Sequence, residues 1–120
     1  MKAREQGIIV ISTFSDEKSV RDIAGKMLDA KLCACVNYTK IHSMYSWKGK
    51  REDHDEYLAL FKTTSKSAEN LKKAIAKHHP YEVPEIAELK LSDLAKPYLS
   101  WLLTETSADR ISQNCHDTSK

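Results

Sequence analysis

Two long segments of period-two polarity lie on either side of one turn in the middle of the sequence. The first spans residues 33–47 and the second spans 56–63, with a glycine-containing turn at 48–51 between them. This pattern predicts a long β-hairpin. Within the first segment the apolar side chains change parity after Tyr38, which predicts a β-bulge near residues 39–40.

A strand and a helix are predicted before this hairpin. The run at 8–14 is short, β-branched and apolar on both faces, as in a central strand. Ser15 is a suitable cap for a helix at about 16–31. The apolar positions at helical spacing are Val20, Ile23, Ala24, Met27 and Leu28.

A second helix, a fourth strand and a terminal helix are predicted after the hairpin. The second helix begins at a cap on Ser65 or Ser67 and stops before Pro80, and the strand follows Pro84. Pro97 is tolerated in the first turn of the terminal helix. The inward positions are Ala68, Leu71, Ala74, Ile75 and then His78 or His79 in the second helix, and Leu94, Tyr98, Trp101 and Leu102 in the terminal helix.

The order strand, helix, strand, strand, helix, strand is that of the ferredoxin-like, or split βαβ, arrangement in the α+β class. We therefore expect an antiparallel sheet with two helices on one face, an extra C-terminal helix, and the first and third strands at the centre. With 120 residues the chain fits one domain, placed at 1–106, followed by a polar tail at 107–120 that we expect to be disordered.

The predicted hairpin is too long for its helices to cover. A helix of about 16 residues spans about 24 Å, whereas strands of about 12 residues span about 40 Å. The projecting part carries Met44, Tyr45 and Trp47, which a lone chain would expose beside unpaired strand edges. This predicts self-association by edge pairing; the alternative is a hairpin that curls over its own core.

Charge and hydropathy exclude several classes of protein. The 19 basic and 17 acidic residues alternate along the chain and the pI is near 8.4, so no basic face for a nucleic acid is expected. The longest aliphatic stretch, residues 8–11, is far too short to span a membrane or to form a signal-peptide core, which predicts a cytoplasmic protein. The odd number of cysteines, three, predicts reduced thiols.

A series of motifs resembles the CutA-type divalent-cation tolerance family, in register from Ile8 to about Leu103. The matching segments are Thr-Phe-Ser-Asp-Glu at 13–17, Ala-Cys-Val-Asn at 34–37, Ser-Met-Tyr-Ser-Trp-Lys-Gly-Lys at 43–50, Lys-Thr at 62–63 and His-His-Pro-Tyr-Glu-Val-Pro-Glu-Ile at 78–86.

This resemblance implies a ferredoxin-like protomer, a homotrimer built by pairing of strands between chains, and binding of copper or other divalent cations such as zinc in metal tolerance. It implies no catalytic reaction. The architecture is also similar to that of the trimeric nitrogen-regulatory signal proteins, which favours clefts between subunits as ligand sites. Animal relatives are implicated in anchoring partner proteins, so a protein partner is a further expectation.

Two adjacent histidines, His78 and His79, are the candidate metal ligands. Imidazole suits copper and zinc, and the family counterparts of these residues are implicated in copper binding. The alternative is that a histidine at this helix end binds the last carbonyl groups. A third ligand is missing, because Ser12 stands where some relatives have a cysteine.

The cysteines offer weaker metal sites. Cys33 and Cys35 point to the same side of a regular strand and suit Cu(I), although only Cys35 matches the family pattern and burial in the core is the alternative. Cys115 and His116 in the tail form an incidental pair of ligands.

In the trimer that the resemblance implies, Trp47, Glu56, Lys62 and Tyr81 gather around a cleft between subunits that suits an anion or a small metabolite. The alternatives are an interface tryptophan, an exposed ion pair and a tyrosine that buttresses the prolines. No catalytic triad, phosphate-binding glycine loop or zinc-protease helix is present in the sequence, so we do not expect an enzyme.

Overall fold

A computed structural model describes residues 5–107 as an α+β fold with one four-stranded antiparallel sheet. The elements are β1 (Gly7–Phe14), α1 (Glu17–Asp29), β2 (Cys35–Trp47), β3 (Lys50–Thr64), α2 (Ser65–His78), β4 (Ile86–Lys90) and α3 (Lys96–Glu105). The strand order β2-β3-β1-β4 places the first and third strands at the centre and confirms the ferredoxin-like prediction. Except for Ser107, the predicted tail lies outside the described residues.

The main core lies between α1, α2 and one face of the sheet. Residues two apart on a strand share a face, and the alternate residues of β1 and β3 that face the helices are almost fully buried. The apolar stripes predicted for the two helices meet them. The buried cluster comprises Ile8, Val10, Phe14, Val20, Ile23, Met27, Cys33, Ala59, Phe61, Ala68, Leu71 and Ile75.

The hairpin runs in one continuous register, from Cys35 opposite Lys62 to Trp47 opposite Lys50. The β-bulge predicted near 39–40 is therefore wrong. The parity of the apolar residues changes because the two ends of the hairpin use opposite faces of the sheet. Tyr38 faces α1, where its hydroxyl donates to Glu17 at 2.8 Å, whereas Ile41, Tyr45 and Trp47 lie on the other face.

The third strand begins six residues before its predicted start at Glu56. Lys48 and Gly49 both have positive φ, 50° and 80°, and form a two-residue turn of the kind that matches the twist of a hairpin. Pairing therefore starts at once, at Lys50. The added residues, 50–55, are charged or polar, which concealed the strand from an analysis of apolar periodicity.

The helix caps differ from those predicted. Asp16, and not Ser15, caps α1, since its carboxylate accepts from the Ser19 N–H at 2.7 Å. The cap residue of α2 is Thr64, without a side-chain bond, so the prediction of Ser65 or Ser67 is wrong. Glu5 instead accepts from the Lys66 N–H at 3.2 Å, which satisfies a free donor of the first turn of α2.

The segment that leads into the C-terminal helix packs on the sheet face opposite α1 and α2. Gly7 points to that face, and a Cβ there would lie 2.3 Å from Leu94 Cδ1, so this close approach requires glycine. Leu102 is buried as predicted, but Trp101 is 42% exposed and stacks on Tyr98 instead of sharing the inward stripe. Pro97 lies in the first turn of α3, as predicted.

Cys33 and Cys35 are free thiols, as predicted, while Cys115 lies outside the described residues. Burial raises the pKa of the Cys33 thiol to about 12, so this side chain behaves as a small core residue. Between residues 5 and 107, no helix has both the length and the apolar character that crossing a membrane requires.

Candidate functional site

An open groove of about 790 Å³, which we call the hairpin groove, lies between one part of the hairpin and the segment that connects α2 to β4. That part of the hairpin is residues 41–56 around the turn, which we call the far half. Ile41 and Tyr45 on β2 and Glu56 on β3 share one sheet face and line one side. Trp47 lies at the turn, and Tyr81 lines the opposite side. Three of the four residues predicted for the cleft, Trp47, Glu56 and Tyr81, therefore line one cavity.

A hydrogen bond joins Glu56 to Tyr81 across the hairpin groove. The Tyr81 hydroxyl donates to Glu56 Oε2 at 2.6 Å, and Glu56 is 5% exposed. Burial, and then the bond to the carboxylate, raise the pKa of Tyr81 well above its usual range. The phenol therefore stays protonated at physiological pH and acts as a fixed donor.

Lys62 is the cleft residue that the structure places elsewhere. It lies six residues along β3 from Glu56, on the same sheet face, which puts it about 20 Å away. Its strand neighbours are Cys35 on β2 and Ile9 on β1. Within one chain, Lys62 does not line the hairpin groove.

His79 leaves α2 and turns into the core. The helix ends at His78 and His79 is extended, as the steric restriction before Pro80 predicts. Its ring stacks on Phe14 with centroids 4.4 Å apart. The imidazole is 9% exposed, and this burial lowers its pKa, which favours the neutral form.

Both nitrogen atoms of His79 make hydrogen bonds to the backbone. The Tyr81 N–H can only donate, so Nδ1 accepts it at 3.1 Å, and Nε2 therefore carries the proton that it donates to the Thr13 carbonyl at 2.9 Å. To bind an ion, His79 must give up one of these bonds. His79 thus anchors the start of the segment that carries Tyr81.

The neighbouring His78 is exposed at the end of α2. In the described part of the chain, no three histidine, cysteine, aspartate or glutamate side chains form a group able to hold a metal ion. Ser12, at the position of the missing third ligand, is fully buried, and its hydroxyl donates to the Glu85 carbonyl at 2.7 Å. The predicted metal role of His78 and His79 remains a prediction.

The sequence analysis missed Tyr45, His54 and the two carboxylates of the connecting segment, which also line the groove. The Tyr45 hydroxyl donates to His54 Nε2 at 2.6 Å, because His54 Nδ1 faces the Asp55 carbonyl. Burial, and then the charge of Glu56, raise the pKa of Tyr45. The sequence did contain a signal for the residues on the hairpin. Residues 52, 54 and 56 lie on one face of β3, opposite 45, 43 and 41 on β2. The two carboxylates belong to Glu82 and Glu85.

A second polar cluster, also missed, lies on the opposite face of the far hairpin. His42 Nδ1 bonds Asp55 at 2.8 Å and its Nε2 contacts Asp53, while the Lys40 ammonium lies 3.4 Å from Asp55. The bonds to Asp55 and then Asp53 raise the pKa of His42, and the bonds from His42 and Lys40 lower the pKa of Asp55. These exposed groups pair the strands where no helix covers them.

Comparisons with known proteins match most of this chain. The family described as CutA1 divalent ion tolerance protein matches residues 8–105. The divalent-cation tolerance protein CutA of Thermotoga maritima is 40% identical over 95 residues, which span 79% of this chain and 94% of that protein.

Solved structures of similar proteins have the same fold. The crystal structure of CutA1 from Pyrococcus horikoshii is 37% identical with a TM-score of 0.81, over 83% of this chain and 98% of that one. The structure of the periplasmic divalent cation tolerance protein CutA from Archaeoglobus fulgidus is 27% identical with a TM-score of 0.82, over 84% and 99%. The resemblance drawn from the motifs is thus confirmed: this chain belongs to the CutA1 family of divalent ion tolerance proteins.

Proposed function

We propose that this protein is a homotrimer that binds divalent metal ions, copper first and zinc second, and that this binding underlies tolerance of metal ions. The observation that carries the proposal is the family match over residues 8–105. The role is one of binding and not of catalysis. In the assay below, Cu(II) is the ligand, and no reaction is expected to accompany its uptake.

Self-association is supported by the apolar side chains and the strand edge that are exposed in the far half of the hairpin. Met44, Tyr45 and Trp47 are 61%, 39% and 38% exposed, and β2 is an edge strand of the sheet. Burying them against two further copies removes both the apolar surface and the free edge. Light scattering at micromolar concentration is expected to give three times the mass of 13.7 kDa, and a stable single chain contradicts the trimer.

The proposed metal ligands are His78 and His79, and we expect them to contribute unequally to binding. The exposed imidazole of His78 is free to meet an ion, whereas His79 must first release a backbone bond. Other copies in the trimer supply the remaining ligands. Calorimetric titration with Cu(II) is expected to show weaker binding for His78→Ala than for the native chain, and the weakest binding for the double variant with His79→Ala.

The two potential copper ligands of the tail are removed before this comparison. Cys115→Ser and His116→Ala serve as the common background, and no purification tag is present. Lys77→Ala, one residue before His78 on α2, is the matched control and should bind as the background does. An unchanged stoichiometry and affinity in the double variant removes both histidines from the proposal.

A second candidate function is a trimeric signalling or scaffolding module that binds a small ligand or a partner protein, with metal binding incidental. The hairpin groove favours it, because Trp47, Glu56 and Tyr81 line one cavity. Lys62 joins this site only as a residue of another copy. Metal-sensitive cells that carry Trp47→Ala or Lys62→Ala separate the two candidates: loss of tolerance in these variants with unchanged Cu(II) titration favours the module.

The proposed compartment is the cytoplasm. Fractionation of cells that express the full chain tests it, with a cytoplasmic and a periplasmic marker in the same samples. Recovery with the periplasmic marker contradicts the proposal and would place this chain in the compartment named for the Archaeoglobus fulgidus relative.

A further inference from the structure

His42 lies between two carboxylates, on the face of the far half that is opposite Tyr45 and Trp47. Its Nδ1 bonds Asp55 Oδ1 at 2.8 Å, and its Nε2 contacts Asp53 Oδ1. A neutral imidazole has one N–H, so it donates to only one of two acceptors. The other nitrogen therefore needs a proton or another cation between itself and its carboxylate.

Asp55 orients the ring of His42. The Lys40 ammonium lies 3.4 Å from Asp55 Oδ2 and holds this carboxylate in place. When Nδ1 carries the proton of the neutral ring, it donates to Asp55, and the lone pair of Nε2 points toward Asp53. A carboxylate fixes the tautomer and the orientation of histidine ligands in this way in many metal sites.

Asp53 is the carboxylate that lacks a second cation. Among residues 5–107 its one ion-pair partner is His42, whereas Asp55 also pairs with Lys40. The side chains of His42 and Asp53 are 57% and 51% exposed, so an ion in solution reaches both. A nitrogen and an oxygen ligand together favour a transition-metal ion, and Cu(II) binds such ligands most tightly among the divalent ions of the first row.

Met44 is in the right place for a third ligand. In the described part of the chain no third histidine, cysteine or carboxylate completes the group, since Asp55 lies on the other side of the ring. Met44 is directly opposite Asp53 and two residues from His42, so the three side chains share one face. A thioether is a soft ligand that favours copper, and its rotatable bonds allow it to turn toward an ion.

We propose that His42 Nε2, the Asp53 carboxylate and the Met44 thioether bind one copper ion in each chain. Asp55 is a positioning residue, because it acts through the Nδ1–H of His42. The ion occupies the place between Nε2 and Asp53 that a proton otherwise fills. Ligand distances of about 2 Å to nitrogen and oxygen require Asp53 to move only slightly from the ring.

This site goes beyond the proposed function, because it does not involve His78 or His79. All of its ligands belong to one chain, so no residue of another copy is needed. They also lie on the face opposite the one that carries Tyr45 and Trp47. An assembly that covers Met44 shields the ion from water and leaves its ligands in place.

The test uses the full native chain in its own oligomeric state at pH 7.5, titrated with Cu(II). The ¹³C-labelled methyl groups of Met44 and Met27 are followed by NMR, since Met27 is buried in the main core. Cu(II) is paramagnetic and broadens nearby signals, so the Met44 signal is expected to disappear at a lower concentration of Cu(II) than the Met27 signal. Mg²⁺, which prefers oxygen ligands alone, is the matched ion and should leave Met44 unchanged. A Met44 signal that persists at saturating Cu(II), or that responds equally to Mg²⁺, overturns the proposal.

Two variants that each remove one imidazole of the hairpin locate the site. His42→Gln removes the Nε2 ligand, so loss of the Met44 signal should require at least ten-fold more Cu(II). His54→Gln, on the other face of the hairpin, should respond as the native chain does. Equal responses of the two variants overturn the proposal, and the native titration decides it even if His42→Gln fails to fold.

Two further variants test the positioning role of Asp55. Asp55→Asn keeps every proposed ligand but loses the charge that orients the ring, so the affinity measured at Met44 should fall about ten-fold. Asp55→Glu restores the carboxylate and should bind Cu(II) more tightly than Asp55→Asn. Equal affinities of the native chain and Asp55→Asn remove Asp55 from the proposal.

Failure of this inference is distinguishable from failure of the proposed function. The double variant His78→Ala, His79→Ala retains the hairpin site, so its Met44 signal should still disappear with Cu(II). This result, together with calorimetric uptake that the double variant does not change, supports the hairpin site and contradicts the metal role of His78 and His79. Copper uptake without any response of Met44 overturns the hairpin site alone.

Discussion

The near half of the hairpin, residues 35–40 and 57–64, and its far half, residues 41–56, belong to the same two strands in one register, yet their surroundings differ completely. In the near half, Ala59 and Phe61 are fully buried beneath α1 and α2. In the far half, Met44 and Trp47 are 61% and 38% exposed. The pairing of the strands is the same in both, since the register runs unbroken from Cys35 opposite Lys62 to Trp47 opposite Lys50.

Helix length explains the difference between the two halves. The 13 residues of α1 span about 20 Å, whereas the 15 residues of β3 span about 50 Å. Beyond the helices, the strands are held by polar pairs such as His42 with Asp55 and Tyr45 with His54. The near half thus contributes most of the folding free energy of a single chain, and the far half is free to serve assembly and binding.

The largest expected effect is a loss of stability caused by a substitution in the near half. Phe61→Ala removes a fully buried ring from the main core and should lower the free energy of unfolding by about 3–5 kcal/mol. Trp47→Ala, the matched change in the far half, should cost a single chain about 0.5 kcal/mol or less. Urea unfolding monitored by circular dichroism measures both. Equal losses would show that Trp47 is as deeply buried in the assembled protein as Phe61 is in the chain.

A smaller effect is expected at His79, which joins the core to the groove. His79→Ala leaves the Tyr81 N–H and the Thr13 carbonyl without partners and should cost about 1–3 kcal/mol. The pH dependence of stability provides a second measure. Because burial lowers the pKa of His79, the native chain should lose stability as the pH falls below the unfolded value of about 6.5.

The His79→Ala chain lacks this contribution, so its stability should fall less steeply between pH 6.5 and pH 5. His78→Ala is the control for removal of a neighbouring, exposed imidazole that does not make the bonds of His79 to the Thr13 carbonyl and the Tyr81 N–H. A parallel fall in the native and His79→Ala chains would mean that His79 already binds a proton in the folded state.

The comparison of the two halves also explains which features the sequence predicted. Periodicity predicts the near half well, because one face is buried by helices and the apolar residues keep one parity. In the far half, Ile41 and Tyr45 turn to the opposite face, which carries the groove. An analysis that assumes a single buried face must then introduce a bulge, whereas the register of the hairpin is unbroken from Cys35 to Lys62.

Contacts between distant residues limit what the sequence predicts of the site. The residue before Pro80 was correctly expected to leave the helix. That its ring would bond the Thr13 carbonyl, 66 residues away, is a tertiary contact that no local pattern encodes. Likewise, Glu56 and Tyr81 were both chosen, but their 2.6 Å bond depends on the path of the segment after α2.

Two glycine substitutions extend the comparison of the far half with the core, and each should change the free energy of unfolding by about 1 kcal/mol or less. Gly49, in the turn, has φ of +80° with open space around it, so Gly49→Ala introduces backbone strain alone and should destabilise by about 1 kcal/mol. Gly25 lies in α1 and also has open space, so Gly25→Ala should stabilise by about 0.5–1 kcal/mol. Thermal unfolding should give shifts of opposite sign. Shifts of the same sign would contradict this account of the turn.

The smallest expected effect on stability lies in the far half, where His42 pairs with two aspartates. Hydrogen bonds to Asp55 and then Asp53 raise its pKa, so the stabilisation is complete below the unfolded value of about 6.5 and is lost as the pH rises through the folded value. NMR titration of the ring, assigned by comparison with His42→Gln among the five histidines, should place its pKa above 6.5. Asp55→Asn should lower that pKa more than Asp53→Asn does. Since His42 is exposed, each variant should shift the midpoint of global unfolding by less than Gly49→Ala does, and an equal or larger shift would contradict this order of effects.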